Sequence, residues 1–207
     1  MPQLSWVDFV AAVQMGELVS FPTDTVPALA CRPDRAERIY AAKQRSETKP
    51  LILMGGEVID LWAYVQGSAA ELAVWQQVAD RYFPGALTLV LPASAQLPTA
   101  MNPADPTTIG IRVPNHPIAR QILRCTQPLA TTSVNRSGQP ALTDWDKITA
   151  EFPEVYTLSP EAFAELQQDF SIDPLNLAFG SGQPSTVAKW QGSGWEILRQ
   201  GEIVLEL

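Results

Sequence analysis

The sequence has few of the residues on which several common kinds of functional site depend. Among its 207 residues there is one histidine, His116, and there are two cysteines, Cys31 and Cys125. This scarcity argues against a structural zinc site or a disulfide scaffold and leaves any histidine-centred catalytic triad dependent on one residue. Two cysteines in a chain of this length are typical of a reducing compartment, so we expect a cytoplasmic protein. We expect both cysteines to be small buried hydrophobic residues.

Long apolar runs and a basic N-terminal targeting signal are also missing. No apolar run approaches the roughly 18 residues of a membrane-spanning helix. The first Lys or Arg is Arg32, so the basic region of a secretory leader is absent. With 46% hydrophobic and 17% charged residues, the composition is that of a folded globular chain. We therefore expect no membrane partner.

The net charge of −8 lies entirely in the last third of the chain. Residues 1–136 carry 11 basic and 11 acidic side chains, whereas residues 137–207 carry 3 and 11. Six of the basic residues fall between Arg32 and Lys49, where a solvated helix face and an anion site are equally good interpretations. Because the acidic part repels phosphates, we expect no strong direct binding to nucleic acid. A pocket that takes a small polyanion remains compatible with this pattern.

Four segments have the periodicity and the capping residues of helices. They are residues 5–15, residues 34–44, residues 68–82 and the segment that begins at Pro117. Ser5, Asp34 and either Asn115 or His116 are the predicted N-caps, and Gly16 is the predicted stop of the first helix. For His116 this capping role is favoured over catalysis.

Short apolar runs predict strands around these helices. They cover residues 17–21, 28–31, 50–54, 87–91, 108–113, 129–133, 155–158, 185–190, 195–198 and 203–205. The Pro-rich and Asn-rich stretch 92–106 is predicted to be a loop. The mixture of helices and strands, without a repeat or a convincing linker, indicates a single α/β or α+β domain over residues 1–207.

Polar side chains at the ends of predicted elements form the candidate site, since phosphate-loop, dinucleotide and hydrolase motifs are absent. They are Thr23-Asp24-Thr25, Lys43-x-Arg45, Thr108 with Arg112, and the hydroxyl-rich and amide-rich run 131–138. Each has a simpler structural explanation, such as a cation at a helix C-terminus or an Asn-Gly turn. Ligands of open α/β sheets bind beyond strand ends, so the joint placement favours one site. Its cations and neutral donors suit phosphoryl or nucleotidyl transfer.

Six short segments occur in an order that is specific as a set, although none is specific alone. They are Phe21-Pro22-Thr23-Asp24-Thr25-Val26, Lys43-x-Arg45 with Lys49-Pro50-Leu51-Ile52, Phe83-Pro84-Gly85-Ala86-Leu87-Thr88, Ile111-Arg112-Val113-Pro114-Asn115-His116-Pro117, Thr132-Ser133-Val134-Asn135-Arg136-Ser137-Gly138, and Ser185-Thr186-Val187 with Arg199-x-Gly201. In these motifs the chain resembles the YrdC/YciO superfamily from about residue 17 to residue 201.

The resemblance implies a YrdC-like α/β fold, in which a twisted mixed sheet with flanking helices forms a concave cationic cleft. The implied activity is that of L-threonylcarbamoyladenylate synthase, a nucleotidyltransferase that makes threonylcarbamoyl-AMP and pyrophosphate from L-threonine, bicarbonate and ATP. Mg²⁺ is the expected ion, with no protein side chain assigned to it. A separate tRNA-modifying threonylcarbamoyl transferase complex is the implied downstream partner.

The resemblance also assigns roles by motif position. Catalytic positions are matched by Lys43, Arg45, Ser133 and Asn135. Positions around threonine are matched by Thr25, Met54, Arg112, Thr131 and Ser185. Positions that contact ATP are matched by Arg45, Lys49, Thr108, Ser133 and Arg199.

The departures from the family pattern lie mainly on the threonine side. Pro27-Ala28 stands where Tyr-Gly is usual, Met54 replaces a histidine, and Arg136 replaces a common leucine. Proline fixes φ and removes a donor, and methionine is only a weak acceptor. These changes leave open an alternative, a divergent YciO-like paralogue that binds a nucleotide or RNA without efficient synthase activity.

Overall fold

A computed structural model describes residues 3–169 and 180–206 of the chain. Its strands are β1 (Gln3–Leu4), β2 (Val19–Phe21), β3 (Ala28–Cys31), β4 (Ile52–Met54), β5 (Leu87–Pro92), β6 (Thr108–Arg112), β7 (Leu129–Ser133), β8 (Thr157–Leu158), β9 (Thr186–Trp190) and β10 (Trp195–Arg199). Its α-helices are α1 (Trp6–Gln14), α2 (Glu37–Lys43), α3 (Ala69–Tyr82), α4 (Pro117–Thr126), α5 (Trp145–Glu151) and α6 (Pro160–Asp169). Single 3₁₀ turns occur at Pro33–Arg35, Val58–Asp60, Trp62–Tyr64 and Thr99–Met101.

Eight of the strands form one mixed sheet, which confirms the predicted α/β class. Their order is β10-β9-β5-β6-β4-β7-β3-β2, and β1 and β8 form a separate parallel pair. β4 pairs in parallel with β6 and antiparallel with β7, so sequence-distant strands meet at the centre of the sheet. All four residues of β3 are buried, as expected for a strand that is covered on both faces. This arrangement brings β3, β4, β6 and β7 together beneath the candidate site.

Two buried apolar clusters hold the helices to the sheet. The larger contains Trp75 of α3 with strand residues such as Leu53 and Leu89. The smaller contains Phe9 of α1 and Ile118 of α4. No helix in the described ranges is both long and apolar enough to cross a membrane.

The predicted capping residues are largely confirmed. Ser5 Oγ accepts the Asp8 N–H at 3.3 Å, and Gly16 ends the turn after α1 with a φ of 82°. At the start of α3, Ser68, for which no cap is predicted from the sequence, forms a reciprocal capping box with Glu71. His116 caps α4, since its Nδ1 accepts the Ala119 N–H at 3.4 Å, and burial lowers its pKa to about 4.

Two predictions of local structure are wrong. Asp34 lies inside a 3₁₀ turn that begins at Pro33, and its carboxylate pairs with Arg32 instead of capping α2. Residues 203–205 form no strand, because the Ile203 carbonyl accepts a hydrogen bond from the side chain of Thr186, with Oγ1 2.6 Å away, and not from the backbone of a neighbouring strand.

The cysteine prediction is half right. Cys31 is buried, and burial raises its pKa to about 12. Cys125 is exposed near the end of α4, so its prediction as a buried residue is wrong. The residue type alone predicted burial, and it could not show that this position of α4 meets solvent.

The indole of Trp75 should contribute strongly to stability, because it is fully buried and packs edge-on against Trp190 with ring centroids 6.2 Å apart. Trp75→Ala should lower the free energy of unfolding by about 3–5 kcal/mol. Val74, its neighbour on α3, is 37% exposed, and Val74→Ala should change stability by about 0.5 kcal/mol or less. Urea denaturation of both variants checks this. Similar losses for the two variants would contradict the assignment of Trp75 to the core.

Candidate functional site

A cavity of about 650 Å³ opens over the central strands. This volume lies within the range typical of small-molecule sites. Of the site residues predicted from the sequence, all but Lys43 and Lys49 line it, namely Thr25, Arg45, Met54, Thr108, Arg112, Thr131, Ser133, Asn135, Ser185 and Arg199. The structure therefore brings together residues that are separated by up to 174 positions in the chain.

A buried arginine ties the Thr23–Thr25 turn to the sheet. Arg112 Nη1 donates to Thr25 Oγ1 at 2.9 Å, Nη2 donates to Asp24 Oδ1 at 2.6 Å, and Nε donates to the Gly85 carbonyl at 3.1 Å. The Arg112 side chain is 4% exposed. Burial lowers the pKa of Arg112, and the Asp24 carboxylate opposes that shift. We refer to Asp24, Thr25, Gly85 and Arg112 as the arginine group.

The Thr23–Thr25 turn is held by its own hydroxyl as well. Thr23 Oγ1 donates to the Val26 carbonyl at 2.7 Å and accepts the Thr25 N–H at 3.2 Å. These bonds satisfy backbone N–H and C=O groups within the tight loop, as Thr side chains often do in turns. They fix the direction in which Thr25 presents its hydroxyl to Arg112.

A buried lysine forms the second hydrogen-bonded group of the site. Lys43 Nζ donates to the Ser133 backbone carbonyl and, at 3.0 Å, to Asn135 Oδ1. Ser133 Oγ also donates to Asn135 Oδ1, at 2.6 Å. Burial, with a smaller contribution from Arg45, lowers the pKa of Lys43 to about 7. Lys43, Ser133 and Asn135 are the lysine group below.

Lys43 lies behind the cavity wall, because its side chain is almost fully buried and does not line the cavity. Its direct partners are a carbonyl and an amide oxygen, and no carboxylate pairs with it among the described residues. A buried ammonium without a counter-ion is costly. The wall formed by Ser133 and Asn135 is thus a place where an anion would be stabilised.

Arg45 lines the cavity beside these residues, but Lys49 does not. Arg45 Nε donates to the Lys49 carbonyl and Nη2 to the Pro50 carbonyl, both at 3.0 Å. The side chain of Lys49 is exposed, and its backbone carbonyl is what bonds Arg45. Burial lowers the pKa of Arg45.

Ser185 joins the cavity from the start of β9. Its Oγ lies 2.8 Å from Thr88 Oγ1, and Arg199 Nη2 donates to the Ser185 carbonyl at 2.8 Å. Arg199 is exposed to solvent and lines the cavity with Lys189. These side chains add a third cationic wall.

Arg136, which stands where the family pattern has leucine, anchors the loop after β7. Its Nε donates to Glu151 Oε1 at 2.6 Å, and its Nη2 donates to the Glu151 carbonyl at 2.7 Å. Its guanidinium also stacks 4.7 Å from the ring centre of Phe152 and bonds the carbonyl of Ala42 near the end of α2. The substitution therefore fastens the Asn135 loop to α5 and α2.

Several residues of the site were not assigned from the sequence. The sequence assigns Asp24 no role of its own, yet it is the ionic partner of Arg112. Asn102, Asp105 and Lys189 also belong to the cavity lining. Of these residues only Asp24 could have been identified from the sequence, because it is the one carboxylate in the motif that carries Thr25.

The described part of the chain contains no cluster of three or more His, Cys, Asp or Glu side chains able to hold a metal ion. Among the cavity-lining residues, Asp105 is the one carboxylate. The other polar residues of the lining are arginines, a lysine, hydroxyls and amides. Such a lining can bind and stabilise anions, but it offers no nucleophile with an adjacent base.

Comparison with known proteins identifies a family model and several named relatives of similar sequence. The family model Sua5/YciO/YrdC, described as "Telomere recombination", matches residues 11–201. The threonylcarbamoyl-AMP synthase of Pseudoalteromonas translucida is 30% identical over 183 residues, which cover 86% of this chain and 89% of the relative. That of Pseudoalteromonas atlantica is 32% identical over 141 residues, with 66% and 74% covered. The rat enzyme is 37% identical over 134 residues, with 63% and 46% covered.

Solved structures show the same fold. P. abyssi Sua5 complexed with L-threonine superposes with a TM-score of 0.76 and 26% identity, covering 94% of this chain and 53% of that one. E. coli YciO superposes with a TM-score of 0.75 and 22% identity, covering 94% and 88%. This chain thus spans about half the length of Sua5 and of the rat relative. From the family model and these relatives, we conclude that the chain belongs to the Sua5/YciO/YrdC family.

Proposed function

We propose that this chain is a threonylcarbamoyl-AMP synthase that uses L-threonine, bicarbonate and ATP. The observation that carries the proposal is one cavity that combines two different anion-binding groups, the arginine group and the lysine group. A substrate pair made of an amino-acid carboxylate and a polyphosphate needs two such groups. The names of the relatives support this choice.

The arginine group is the proposed site of the amino acid. A guanidinium has five N–H donors, and three hydrogen bonds of Arg112 to protein are described above. The remaining donors can bind the threonine carboxylate as a charge-assisted pair. Thr25, Thr131 and Ser185 offer hydroxyls nearby on the cavity wall, and Met54 packs against the substrate methyl group.

The lysine group with Arg45, Thr108 and Arg199 is the proposed site of ATP. Lys49, which the resemblance also assigned to ATP, is exposed outside the cavity and is the weakest of these assignments. In the proposed reaction the threonine amine bonds to the bicarbonate carbon and water leaves. An oxygen of the resulting carboxylate then attacks the α-phosphorus, and the bond to pyrophosphate breaks. Arg45 and Lys43 stabilise the charge on the phosphates.

Mg²⁺ fits this site as an ion carried by the triphosphate. Mg²⁺ usually keeps several waters and binds through phosphates and one or two carboxylates. Of the cavity-lining residues only Asp105 offers a carboxylate, and it already accepts from Thr107 N–H at 3.2 Å. The ion would neutralise phosphate charge. The product would be passed to a tRNA-modifying threonylcarbamoyl transferase complex.

Pyrophosphate release with one substrate omitted at a time tests the proposed function. Synthase activity requires ATP, threonine and bicarbonate together. The alternative, a YciO-like paralogue, predicts ATP binding without threonine-dependent pyrophosphate. If ATP binds, and threonine changes neither pyrophosphate release nor the heat of binding measured by calorimetry, the synthase assignment is wrong.

Removal of either cation of the ATP site should slow turnover without unfolding the protein. Arg45→Ala and Lys43→Met should each reduce kcat/KM by roughly 10²-fold, the usual effect of losing one preorganised charge-stabilising group. Methionine keeps most of the volume that the buried Lys43 stem fills. Lys147→Met, on the exposed side of α5, is the matched control. Full activity in both site variants would contradict the phosphate assignment.

Binding of ATP should be linked to protonation of Lys43. Burial lowers the pKa of this amine to about 7, and phosphates close to it raise the pKa again. Around pH 7.5 the complex should therefore take up protons, and ATP affinity should fall as the pH rises from 6 to about 8.5. Calorimetry in buffers of different ionisation enthalpy measures this uptake. Proton release, or an equal uptake in Lys43→Met, would contradict it.

Met54 should set the amino-acid selectivity. It lies in register with Arg112 on the neighbouring strand and lines the cavity. Met54→His adds a donor there and should tighten threonine binding by up to about tenfold, with better discrimination against serine. Met15→His, on an exposed methionine, is the control. Unchanged threonine and serine affinities would show that position 54 does not contact the substrate.

A further inference from the structure

Residues 180–182 lie directly against the Thr23–Thr25 turn. The N–H groups of Gly180, Ser181 and Gly182 donate in succession to the carbonyls of Thr23 (3.1 Å), Asp24 (3.0 Å) and Thr25 (2.9 Å). In an extended strand successive N–H groups point to opposite sides. Three successive donors that face the same turn therefore require a curled backbone, and Gly182 has a φ of 74°.

This contact is a backbone-to-backbone contact that only glycine permits at position 180. A Cβ atom on Gly180 would lie 2.1 Å from the carbonyl carbon of Asp24 and 2.4 Å from the backbone nitrogen of Thr25. No flexible side chain is available to move aside. Any larger residue must therefore push the segment and the turn apart.

The segment is also fixed at its other end. Ser185 is held by Arg199 and Thr88, as described above. A Cβ atom on Gly201 would lie 2.3 Å from the Pro184 carbonyl oxygen, so the chain after β10 closes tightly on the same segment. We call residues 180–185 the strap. Pro184 and Ser185 of the strap line the cavity.

The strap acts on Arg112 through the turn. It satisfies the backbone carbonyls of Asp24 and Thr25, while the side chains of the same two residues hold the guanidinium. A shift of the turn must therefore reorient Arg112 or leave it unpaired. Either outcome costs free energy, because a buried guanidinium that loses a hydrogen-bond partner is left unsatisfied.

We propose that the strap is a positioning element for the amino-acid substrate, which sets the orientation of the free N–H donors of Arg112. This inference rests on the proposed function. The strap meets the proposed ATP site at its far end, where Arg199 bonds Ser185. Residues 180–182 share no hydrogen bond with the lysine group among those described, so a change at Gly180 should leave ATP binding largely unaffected.

Gly180→Ala tests the strap, with Gly194→Ala as the matched control. A Cβ on Gly194 meets nothing within 4 Å. Gly180→Ala should raise the KM and the Kd for threonine by about tenfold or more, the effect of one or two lost hydrogen bonds. The Kd for ATP should stay within about twofold, and the control should match the wild type. An unchanged KM for threonine, or equal losses for threonine and ATP, would overturn the proposal.

Hydrogen exchange of the wild-type protein provides a second test that needs no variant to fold. Coupling between two sites is reciprocal, so threonine binding should protect the amides of residues 180–182 and ATP alone should not. Unchanged exchange on saturation with threonine would overturn the proposal. A wild-type protein without threonine-dependent pyrophosphate release would instead contradict the proposed function. An active wild type with an unaffected Gly180→Ala variant would contradict the strap alone.

Discussion

The burial of Arg112 is the constraint on which the substrate cavity depends. Its guanidinium joins β6 to the Thr23–Thr25 turn and to Gly85, three parts of the chain that have no local reason to meet. A buried guanidinium must have its donors satisfied and its charge balanced. Asp24 supplies the balancing charge, and the backbone of the strap holds Asp24 in place. The geometry of the proposed amino-acid site thus follows from the cost of burying one cation.

The lysine group differs from the arginine group, because no carboxylate among the described residues balances its charge. Lys43 has oxygen partners that carry no formal charge, and burial, with a smaller contribution from Arg45, lowers its pKa to about 7. Under the proposed function, a polyphosphate would supply the missing negative charge. Arg112 is paired with a carboxylate of the protein, whereas Lys43 has no such partner among the described residues. This difference would let one cavity bind a carboxylate and a triphosphate separately.

The sequence predicted the sheet and the cavity better than it predicted the surface and the terminal segments. Apolar runs located the central strands because those strands are covered on both faces. The sequence did not predict α5 and α6, which lie in the acidic region after residue 140. Their apolar faces are narrow, and prolines flank the helices. Ile203–Leu205 has the composition of a strand, but the Ile203 carbonyl accepts from the Thr186 side chain instead of pairing in a ladder.

The motifs located about half of the cavity lining, but they could not show which buried residues act without lining the cavity. Lys43 and Asp24 belong to recognisable motifs, yet burial and the contacts with Ser133 and Arg112 define what they do. The strap is equally hidden, because its role lies in backbone contacts that no side-chain pattern reveals. Such contacts depend on tertiary structure alone.

Product formation from ¹³C-labelled bicarbonate tests the central claim most directly. After incubation with ATP and threonine, mass spectrometry should show an adenylate that carries threonine and one labelled carbon, in an amount equal to the pyrophosphate released. An adenylate without the label, or conversion of ATP without any threonine adduct, would contradict the account.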